Sequence, residues 1–356
     1  MLNIYYILLI FLFGGIVTSL IVNKLLLSFS KSLGIRNKND VTIRWSNESK
    51  PSLGGISMFV TFIFAVFFFA AVYPDVGLFE DNKFLGLLAA SSLAFMIGMA
   101  DDAYNTKPLL KLIGQITCGL ILVFSGTVID LFHYTSIDAV FTVLWVVVLM
   151  NSLNMLDNMD GITGTVSLFI LITTGTSYLV LNGMELTNWI VILVAEIGAI
   201  IGFLRYNIHP SKMFMGDTGS QFIALFVAYF TIDGLWNVAA SFEIPSWSSF
   251  LLILVAFTPA AVDTLTVVIN RLKKGQSPMV GGKDHTTHHL VYKGLNDFQV
   301  WKVFLLISII SSALTIGLLL ALKQGNYELT LLGVIYFIVV FVILYRNTIK
   351  YHNPTI

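Results

Sequence analysis

Carboxylate and amide side chains occur in two short motifs whose spacing could support chemistry. Asp101 and Asp102 are adjacent, and neighbouring carboxylates repel each other unless a cation or a proton relieves the repulsion. A second motif places polar side chains at every third position: Asn151, Asn154, Asp157 and Asp160. On a helix this spacing predicts one polar face, which offers oxygen ligands for a hard divalent ion or amide donors for a base and a ribose. A solvated helix end is the alternative interpretation of the first motif.

A glycine-flanked aspartate forms a third motif, within residues 205–220. Gly216 and Gly219 flank Asp217 in a turn that leads into an apolar run. Small residues let main-chain N–H groups approach a phosphate, and the start of a helix favours its negative charge. Asp217 is a candidate Mg²⁺ ligand, because Mg²⁺ sites commonly use one or two carboxylates and leave other positions to water and phosphate. The alternative is that Asp217 only caps the helix.

Two further motifs could hold phosphate. Half of the six histidines lie within five residues, beside Lys283 and Asp284: His285, His288 and His289. They lack the cysteines or paired-histidine spacing of a structural zinc site, and could instead bind phosphate or orient a carboxylate. The segment 44–55 contains Lys50 and ends in two glycines, so Lys50 could also hold a phosphate. Arg44 in the same segment is better interpreted as a loop residue that helps to set orientation.

The composition places these motifs in a membrane protein. Of the 356 residues, 56% are hydrophobic and only 11% are charged, whereas a soluble domain carries about 25% charged residues. This argues against a soluble enzyme, a disordered chain and a nucleic-acid binder. Cys118 is the single cysteine, so an internal disulfide is excluded.

Eleven apolar runs approach the roughly 20 residues that a membrane-spanning helix needs. Their cores are 4–27, 56–73, 84–100, 109–129, 138–153, 162–182, 188–204, 219–235, 249–269, 301–321 and 328–345. They predict an all-α, polytopic membrane bundle of about 11 transmembrane helices that forms one domain over residues 1–356. The first run is too long, and lacks the charged start, for a cleaved signal peptide.

The basic residues are divided unequally between the two faces of this bundle. If the runs alternate in direction, 18 of the 20 Lys and Arg residues share one face, and only Lys83 and Lys323 lie on the other. The positive-inside rule makes the basic face cytoplasmic, with the N-terminus outside and the C-terminus inside. All five motifs lie on that face, which predicts a phosphate-handling site at the inner membrane surface.

The motifs resemble those of the polyprenyl-phosphate N-acetylhexosamine-1-phosphate transferases, membrane enzymes of glycosyltransferase family 4 that start bacterial cell-envelope glycans. The resemblance runs from Lys50 to about Leu295. Its matching residues are Asp101, Asp102, Asn151, Asn154, Asp157, Asp160, Gly161, Asn207, Pro210, Phe214, Gly216, Asp217, Gly219, Ser220, Asp263, Arg271, Ser277 and Pro278, with a less exact match at His285, His288 and His289. The chain departs from the family at Asn105, where a third acid or a lysine is common, and at Asn158, where glycine is common. Its histidines are not consecutive, which, with eleven spans, favours the undecaprenyl-phosphate N-acetylglucosamine-1-phosphate branch.

The resemblance implies transfer of a sugar 1-phosphate from a UDP-N-acetylhexosamine to polyprenyl phosphate, with release of UMP, at the cytoplasmic face of the bacterial plasma membrane. It implies Mg²⁺, with Mn²⁺ as a substitute, as cofactor, and the nucleotide sugar, the polyprenyl lipid and the membrane as partners. The resemblance leaves open whether the protein forms a homodimer. It also leaves open whether the lipid phosphate attacks directly or the reaction passes through a covalent aspartyl intermediate. The implied metal ligands are Asp217 and Asp160. The implied catalytic residues are Asp101, Asp102, Asp160 and His288. The implied substrate-binding residues are Lys50, Asn154, Asp157, Asn207, Phe214, Ser220, His285 and His289.

Two other functions are considered. The first is the phospho-N-acetylmuramoyl-pentapeptide transferase branch of the same family. The second is a transporter of an anionic substrate, which should place ionisable residues at mid-membrane rather than at one face. Only Glu196, near Gly198 and Gly202, clearly has that position, and a paired structural role suits it better.

Overall fold

The computed structural model describes residues 4–32, 50–181, 188–277 and 281–351, and these ranges form helices without a β-strand. Their one extended pairing is an isolated bridge between Ser52 and Phe214. The predicted all-α class is therefore confirmed. Arg44 and Pro278 lie outside the described residues.

The described α-helices follow one another with short connections. They are α1 (Ile4–Ser32), α2 (Gly54–Val72), α3 (Asn82–Tyr104), α4 (Pro108–Phe124), α5 (Thr135–Leu156), α6 (Ile162–Leu181), α7 (Asn188–Asn207), α8 (Gly216–Thr231), α9 (Val238–Phe242), α10 (Trp247–Ala256), α11 (Thr258–Lys273), α12 (Thr286–Tyr292), α13 (Asp297–Lys323) and α14 (Thr330–Lys350). A π-helix, Ile232–Trp236, joins α8 to α9.

The polytopic membrane bundle is confirmed, with fewer full-length spans than the sequence predicts. Within the described ranges, nine helical segments are long and apolar enough to cross a membrane, and the count is ten if the bent pair α10–α11 is taken as one span. The remaining predicted run, 109–129, corresponds to α4, which is apolar but has only 17 residues. The orientation of the termini stays a prediction.

A glycine turn shortens α4. Gly126 has φ of +91°, a conformation that residues with a side chain rarely adopt. Its N–H donates to the carbonyl of Val123 at 3.0 Å, and the N–H of Thr127 donates to the carbonyl of Leu122 at 2.9 Å. This pair of hydrogen bonds is the Schellman arrangement, which satisfies the last carbonyls and stops the helix inside an apolar stretch.

The ninth predicted run is broken, with α10 and α11 meeting at 85°. Pro259 lies in the first turn of α11 and lacks the N–H that would bond the carbonyl of Val255 in a continuous helix. The hydroxyl of Thr258 replaces part of the lost bonding, because it donates to the carbonyls of Leu254 and Val255 at 3.0 and 2.9 Å. The break therefore leaves few unpaired polar groups in an apolar surrounding.

The core is built around α8, whose residues from Thr218 to Thr231 are all buried. A helix that is enclosed on every side must lie inside a bundle. Its aromatic side chains pack on α2: the ring of Phe62 lies 5.8 Å from that of Phe222 and 5.7 Å from that of Phe226. Helices α3, α5 and α6 cover the remaining sides, so the N-terminus of α8, which carries Asp217, has a fixed position.

Helices α1 and α7 pack closely through glycine. A Cβ atom added to Gly15 would lie 2.2 Å from the carbonyl oxygen of Ala195, and one added to Gly198 would lie 2.3 Å from that of Leu12. Small residues of this kind allow membrane helices to approach with their backbones in contact. The side-chain hydroxyl of Ser19 also donates to the carbonyl of Ala199 at 2.7 Å.

Candidate active site

The C-terminal end of α3 meets the N-terminal end of α8. A Cβ atom on Gly98 would lie 2.2 Å from the carbonyl oxygen of Asp217, so this approach requires glycine. The carboxylate of Asp102 accepts hydrogen bonds from the main-chain N–H of Asp217 at 3.1 Å, and from the N–H and hydroxyl of Thr218 at 2.9 and 2.7 Å. Asp102 thus caps α8 from a neighbouring helix, which fixes the backbone beside Asp217.

This contact changes the role expected for the glycine turn. The amide groups that were expected to receive a phosphate at the start of α8 are bonded to Asp102 instead. Gly219 serves packing, because a Cβ atom there would lie 2.9 Å from Cα of Gly55 on α2. Gly216 has φ of +74°, which makes the turn itself dependent on glycine.

We expect Asp102→Ala to lower the free energy of unfolding by about 1–2 kcal/mol, because two amide donors of α8 lose their acceptor. Asp102→Asn keeps one acceptor oxygen and should lose less. Thermal unfolding of the purified protein in detergent measures both, with Asp81→Ala, which removes the cap of α3 at the other end of that helix, as the matched control. An Asp102→Ala protein as stable as the wild type would contradict the capping role.

Lys111 on α4 lies between two of the predicted carboxylates. Its Nζ atom is 2.8 Å from Oδ2 of Asp101 and 3.0 Å from Oδ2 of Asp217. The other oxygen of Asp101 accepts from the N–H and hydroxyl of Thr106 at 2.9 and 2.6 Å. The ammonium group relieves the repulsion that two close carboxylates would otherwise have.

Asn154 completes this arrangement from α5. Its Nδ2 atom donates to Oδ1 of Asp217 at 2.7 Å and to the hydroxyl of Ser220 at 2.8 Å, and Lys111 Nζ lies 3.4 Å from its Oδ1 atom. We call Asp101, Lys111, Asn154 and Asp217 the carboxylate–lysine cluster. Four helices, α3, α4, α5 and α8, therefore bring these four side chains together.

The expectation of one helical face over the second motif is only half correct. Helix α5 ends at Leu156, so Asp157 and Asp160 lie in the turn that follows it. Gly161 closes this turn with φ of +76°. A continuing helix would have presented all four side chains together, whereas the turn gives Asp157 and Asp160 separate partners.

The negative charges around the cluster affect the pKa of Asp157. Burial, together with the negative charges of Asp217 and Asp102, raises the pKa of Asp157 to about 8. Its carboxyl group is therefore largely protonated at pH 7 and can donate a hydrogen bond. Groups whose pKa lies near neutral pH in a polar site are candidates for proton transfer.

Asp160 belongs to a neighbouring group of contacts. Its Oδ2 atom is 3.2 Å from Nδ1 of His209, 3.3 Å from the N–H of Ser211 and 4.0 Å from Nζ of Lys50. Lys50 also donates to the hydroxyl of Ser211 at 3.2 Å and lies 5.6 Å above the ring of Phe214. The structure therefore brings three predicted residues, Lys50, Asp160 and Phe214, to one loop.

Main-chain pairing explains why Lys50 reaches this loop. The N–H of Phe214 donates to the carbonyl of Pro51, and that of Gly54 to the carbonyl of Phe214, both at 3.0 Å. Asn207 shapes the same loop, because its Oδ1 atom accepts from the N–H of Gly161 and its Nδ2 atom donates to the carbonyl of Met213, each at 3.0 Å. The buried Asn207 amide thus bonds the main chain at both ends.

The histidine segment is anchored on α11. The carboxylate of Asp263 bonds Nδ1 of His285 at 2.8 Å and the N–H of Thr286 at 2.8 Å. Arg271 holds Asp284 through two hydrogen bonds of 2.8 and 2.7 Å, a bidentate pair. The guanidinium of Arg271 keeps the pKa of Asp284 below its usual range despite burial.

The three histidines are buried rather than displayed to solvent. His289 bonds the carbonyl of Tyr351 through Nδ1, and the hydroxyl of Thr287 between the histidines donates to Oδ1 of Asn158 at 2.6 Å. That contact joins α12 to the turn after α5. Burial and the neighbouring imidazole of His285 lower the pKa of His288 to about 3, so its ring is neutral at pH 7.

The donor set of the cluster suits Mg²⁺. In the described ranges no three His, Cys, Asp or Glu side chains converge as a preformed metal cage. A Mg²⁺ site needs only one or two carboxylates, since water and phosphate oxygens complete it. Asp101 and Asp217 provide two hard carboxylates on either side of a positive charge, that of Lys111.

Sequence reasoning missed Lys111, Thr106 and His209. Lys111 is the single charged residue of α4, and its side chain is only 15% exposed. A lone charge in an apolar helix signals a function or a buried partner. Thr106 and His209 carry no comparable signal, because loops commonly contain such residues.

A helical membrane bundle with carboxylates and a lysine gathered at one end defines the class: a multi-pass membrane protein with a charged site at one end of its helices. The sequence model of glycosyl transferase family 4 matches residues 84–235 of the chain. The matched region runs from α3 to the π-helix and includes Asp101, Asp160 and Asp217, whereas the histidine segment lies beyond it.

Curated bacterial proteins are similar over longer stretches. The probable undecaprenyl-phosphate N-acetylglucosaminyl 1-phosphate transferase of Bacillus subtilis is 27% identical over 82% of this chain and 78% of its own length. The decaprenyl-phosphate N-acetylglucosaminephosphotransferase of Mycolicibacterium smegmatis is 27% identical over 68% of this chain and 66% of its own. A phospho-N-acetylmuramoyl-pentapeptide-transferase of a Thermoanaerobacter species is 35% identical, over 48% of this chain and 56% of its own.

Proposed function

We propose that this protein transfers N-acetylglucosamine 1-phosphate from UDP-N-acetylglucosamine to a polyprenyl phosphate, with release of UMP. The observation that carries the proposal is the carboxylate–lysine cluster, in which residues from four helices meet at one end of a membrane bundle. The match to the glycosyl transferase family 4 model and the names of the Bacillus subtilis and Mycolicibacterium smegmatis relatives support the choice of donor and acceptor.

The chemistry is phosphoryl transfer, in which positioning and charge neutralisation dominate. An oxygen of the lipid phosphate forms a bond to the sugar-bearing phosphorus, and the bond from that phosphorus to the oxygen of UMP breaks. In this proposal Lys111 neutralises negative charge between Asp101 and Asp217. Asp157, protonated at neutral pH, donates a hydrogen bond, and Asn154 orients Asp217. The same bonds form and break overall whether the lipid phosphate attacks directly or the reaction passes through a covalent aspartyl intermediate.

Around the cluster, the remaining predicted residues have supporting roles in the proposal. Lys50 and the ring of Phe214 form one wall for the nucleotide, with Asp160 beside them. Asn207 shapes the loop that carries this wall through hydrogen bonds to the main chain. Asp102 fixes the start of α8 in the same way. Ser220 accepts a hydrogen bond from Asn154 and so helps to position that side chain. The segment of His285, His288 and His289 is joined to the cluster turn by Thr287 and Asn158.

For the metal, we propose that Asp217 and Asp101 hold Mg²⁺, with Mn²⁺ as a substitute. A divalent ion supplies charge neutralisation to a diphosphate. Asp160, the other predicted ligand, is the less favoured candidate, because it lies with His209, Ser211 and Lys50 rather than beside Asp101 and Asp217.

The muramoyl-pentapeptide reaction is the second candidate, supported by the 35% identity of the Thermoanaerobacter relative over 190 residues. The proposed reaction is preferred because the N-acetylglucosaminyl relative of Bacillus subtilis matches 82% of this chain at 27% identity, against 73% at 25% identity for a phospho-N-acetylmuramoyl-pentapeptide-transferase of Staphylococcus carnosus. Transport is disfavoured because the acidic motifs gather at one end, whereas Glu196 is the single acidic residue of α7. The paired structural role expected for Glu196 is not found, because its buried carboxyl oxygens have no hydrogen-bond partner among the described residues.

A UMP-release assay tests the function. Purified protein with undecaprenyl phosphate and Mg²⁺ should release UMP with UDP-N-acetylglucosamine, and should do so faster than with UDP-N-acetylmuramoyl-pentapeptide. The reverse preference would favour the second candidate, and no UMP from any nucleotide sugar would exclude both. Omission of the lipid is the control for simple hydrolysis.

We also propose that the protein lies in the bacterial inner membrane with the cluster at the cytoplasmic face. Cys118 is buried, so cysteines introduced into a Cys118→Ser protein can report topology. Lys212→Cys should be blocked by an impermeant maleimide only in inside-out vesicles, and Lys323→Cys only in intact cells. Labelling of both from the same side would contradict the proposed topology.

The pKa of His288 predicts a specific pH profile. Because a pKa of about 3 leaves its ring neutral from pH 5 upward, we expect His288 to contribute no protonation step between pH 5 and 9. We expect His288→Asn to change the rate while leaving the apparent pKa values of the kcat–pH profile in place. Loss of the acidic limb in that variant would show that His288 titrates.

A further inference from the structure

A groove lies between the ends of α1 and α7, apart from the carboxylate–lysine cluster. It has a volume of about 410 Å³ and is lined by Leu20, Ile21, Lys24, Arg205, Tyr206 and Lys212. We call it the α1–α7 groove. Its position is fixed by the close glycine packing of these helices and by a 3.3 Å hydrogen bond from the Tyr206 hydroxyl to the carbonyl of Leu20. The space is within the range of ligand sites in proteins.

Three positive charges surround the α1–α7 groove. Lys24, Arg205 and Lys212 are all exposed, and within the described ranges none forms an ion pair with an acidic side chain. By contrast, Lys50 and Lys111 at the neighbouring site each lie near a carboxylate. Three like charges around one cavity favour an anionic occupant, since an anion relieves their mutual repulsion.

The apolar side of the groove continues along α1. Phe13, Val17 and Ile21 recur at helical spacing, and their side chains are 59%, 51% and 53% exposed. This row runs from the groove toward the middle of a membrane-spanning helix. An occupant with a charged head and a hydrocarbon chain therefore matches both parts of the surface.

We propose that the α1–α7 groove binds the phosphate of an anionic glycerophospholipid, with an acyl chain along Phe13 and Val17. Basic pockets between helices at the cytoplasmic membrane surface are suited to such headgroups. In the described ranges no hydrogen bond or ion pair joins a groove side chain to Asp101, Lys111 or Asp217, so the groove is separate from the carboxylate–lysine cluster. Lys212 directly follows Ser211, which bonds Lys50, so a lipid here would also steady the Lys50 loop.

Native mass spectrometry of the full chain in neutral detergent tests the proposal. Phosphatidylglycerol and phosphatidylcholine are added in equal amounts, and the preference for phosphatidylglycerol is measured. At about 1 kcal/mol, or fivefold, for each basic residue, the triple variant Lys24→Gln, Arg205→Gln, Lys212→Gln should lose about a hundredfold of that preference. The matched control is Lys274→Gln, Lys302→Gln, Lys350→Gln, which removes three exposed basic residues at or beside helices other than α1 and α7.

The results of this experiment distinguish the possible ligands of the α1–α7 groove. Loss of the preference in the groove variant but not in the control supports the proposal, provided both melt like the wild type in phosphatidylcholine. An unchanged preference in the groove variant, or an equal loss in the control, overturns it. A third outcome also overturns the proposal: equimolar polyprenyl phosphate displaces phosphatidylglycerol from the wild-type protein but not from the groove variant. The occupant of the groove would then be the substrate lipid.

Discussion

Asp217→Asn is expected to slow UMP release by at least about a hundredfold while the protein stays folded. The amide keeps the size of the side chain and an oxygen that Asn154 can still reach, but it removes the negative charge that faces Lys111 at 3.0 Å. If Asp217 also holds the metal, the Mg²⁺ concentration needed for half-maximal rate should rise in the same variant. Steady-state UMP release over a Mg²⁺ titration measures both effects.

Asp233→Asn is the matched control for this variant. Asp233 lies at the opposite end of the same helical segment and also faces a lysine, Lys83, at 3.5 Å. It therefore reproduces the loss of one carboxylate and one ion pair without touching the cluster, and the rate should stay within about twofold, as for an exposed ion pair. Near-normal, Mg²⁺-dependent turnover by Asp217→Asn would reject the role of Asp217.

The helices could be predicted from the sequence because apolar runs in a membrane must satisfy their own backbone hydrogen bonds. Every predicted run corresponds to a described helix, but composition alone does not show where a helix ends or bends. The turn at Gly126 and the break beside Pro259 depend on single residues inside apolar stretches. Both carry a local signal, a glycine or a proline, that an average over twenty residues conceals.

The candidate site could be predicted as a list of residues but not as an arrangement. Asp101 and Asp217 are 116 positions apart, and no periodicity links them to each other or to Lys111. Asp101 and Asp102 are adjacent in sequence but make different contacts: Asp101 faces Lys111, and Asp102 caps α8. Neighbouring residues on a helix point in different directions, so a shared motif does not imply a shared contact.

Lys111→Met is expected to lower kcat by about a hundredfold, the loss typical when a preorganised charge is removed from an active site. Methionine preserves the length and much of the volume of the side chain, so the packing of α4 should survive. Without the ammonium group, the carboxylates of Asp101 and Asp217 lose the positive charge that lies 2.8 and 3.0 Å from them. Their repulsion should then increase the apparent affinity for Mg²⁺ while kcat falls.

A lower kcat together with a higher apparent affinity for Mg²⁺ distinguishes a role of Lys111 in the site from a role in folding. A merely destabilised protein would lose kcat without binding Mg²⁺ more tightly. Lys107→Met is the control, since Lys107 lies one turn earlier at the start of α4 with an exposed side chain, and it should leave both quantities unchanged. Lys111→Arg keeps the charge in a larger, planar group and should retain the wild-type Mg²⁺ affinity better than Lys111→Met does. A Lys111→Met enzyme with normal kcat would show that the ion bridge between Asp101 and Asp217 stabilises the resting protein only, and that catalysis does not depend on it.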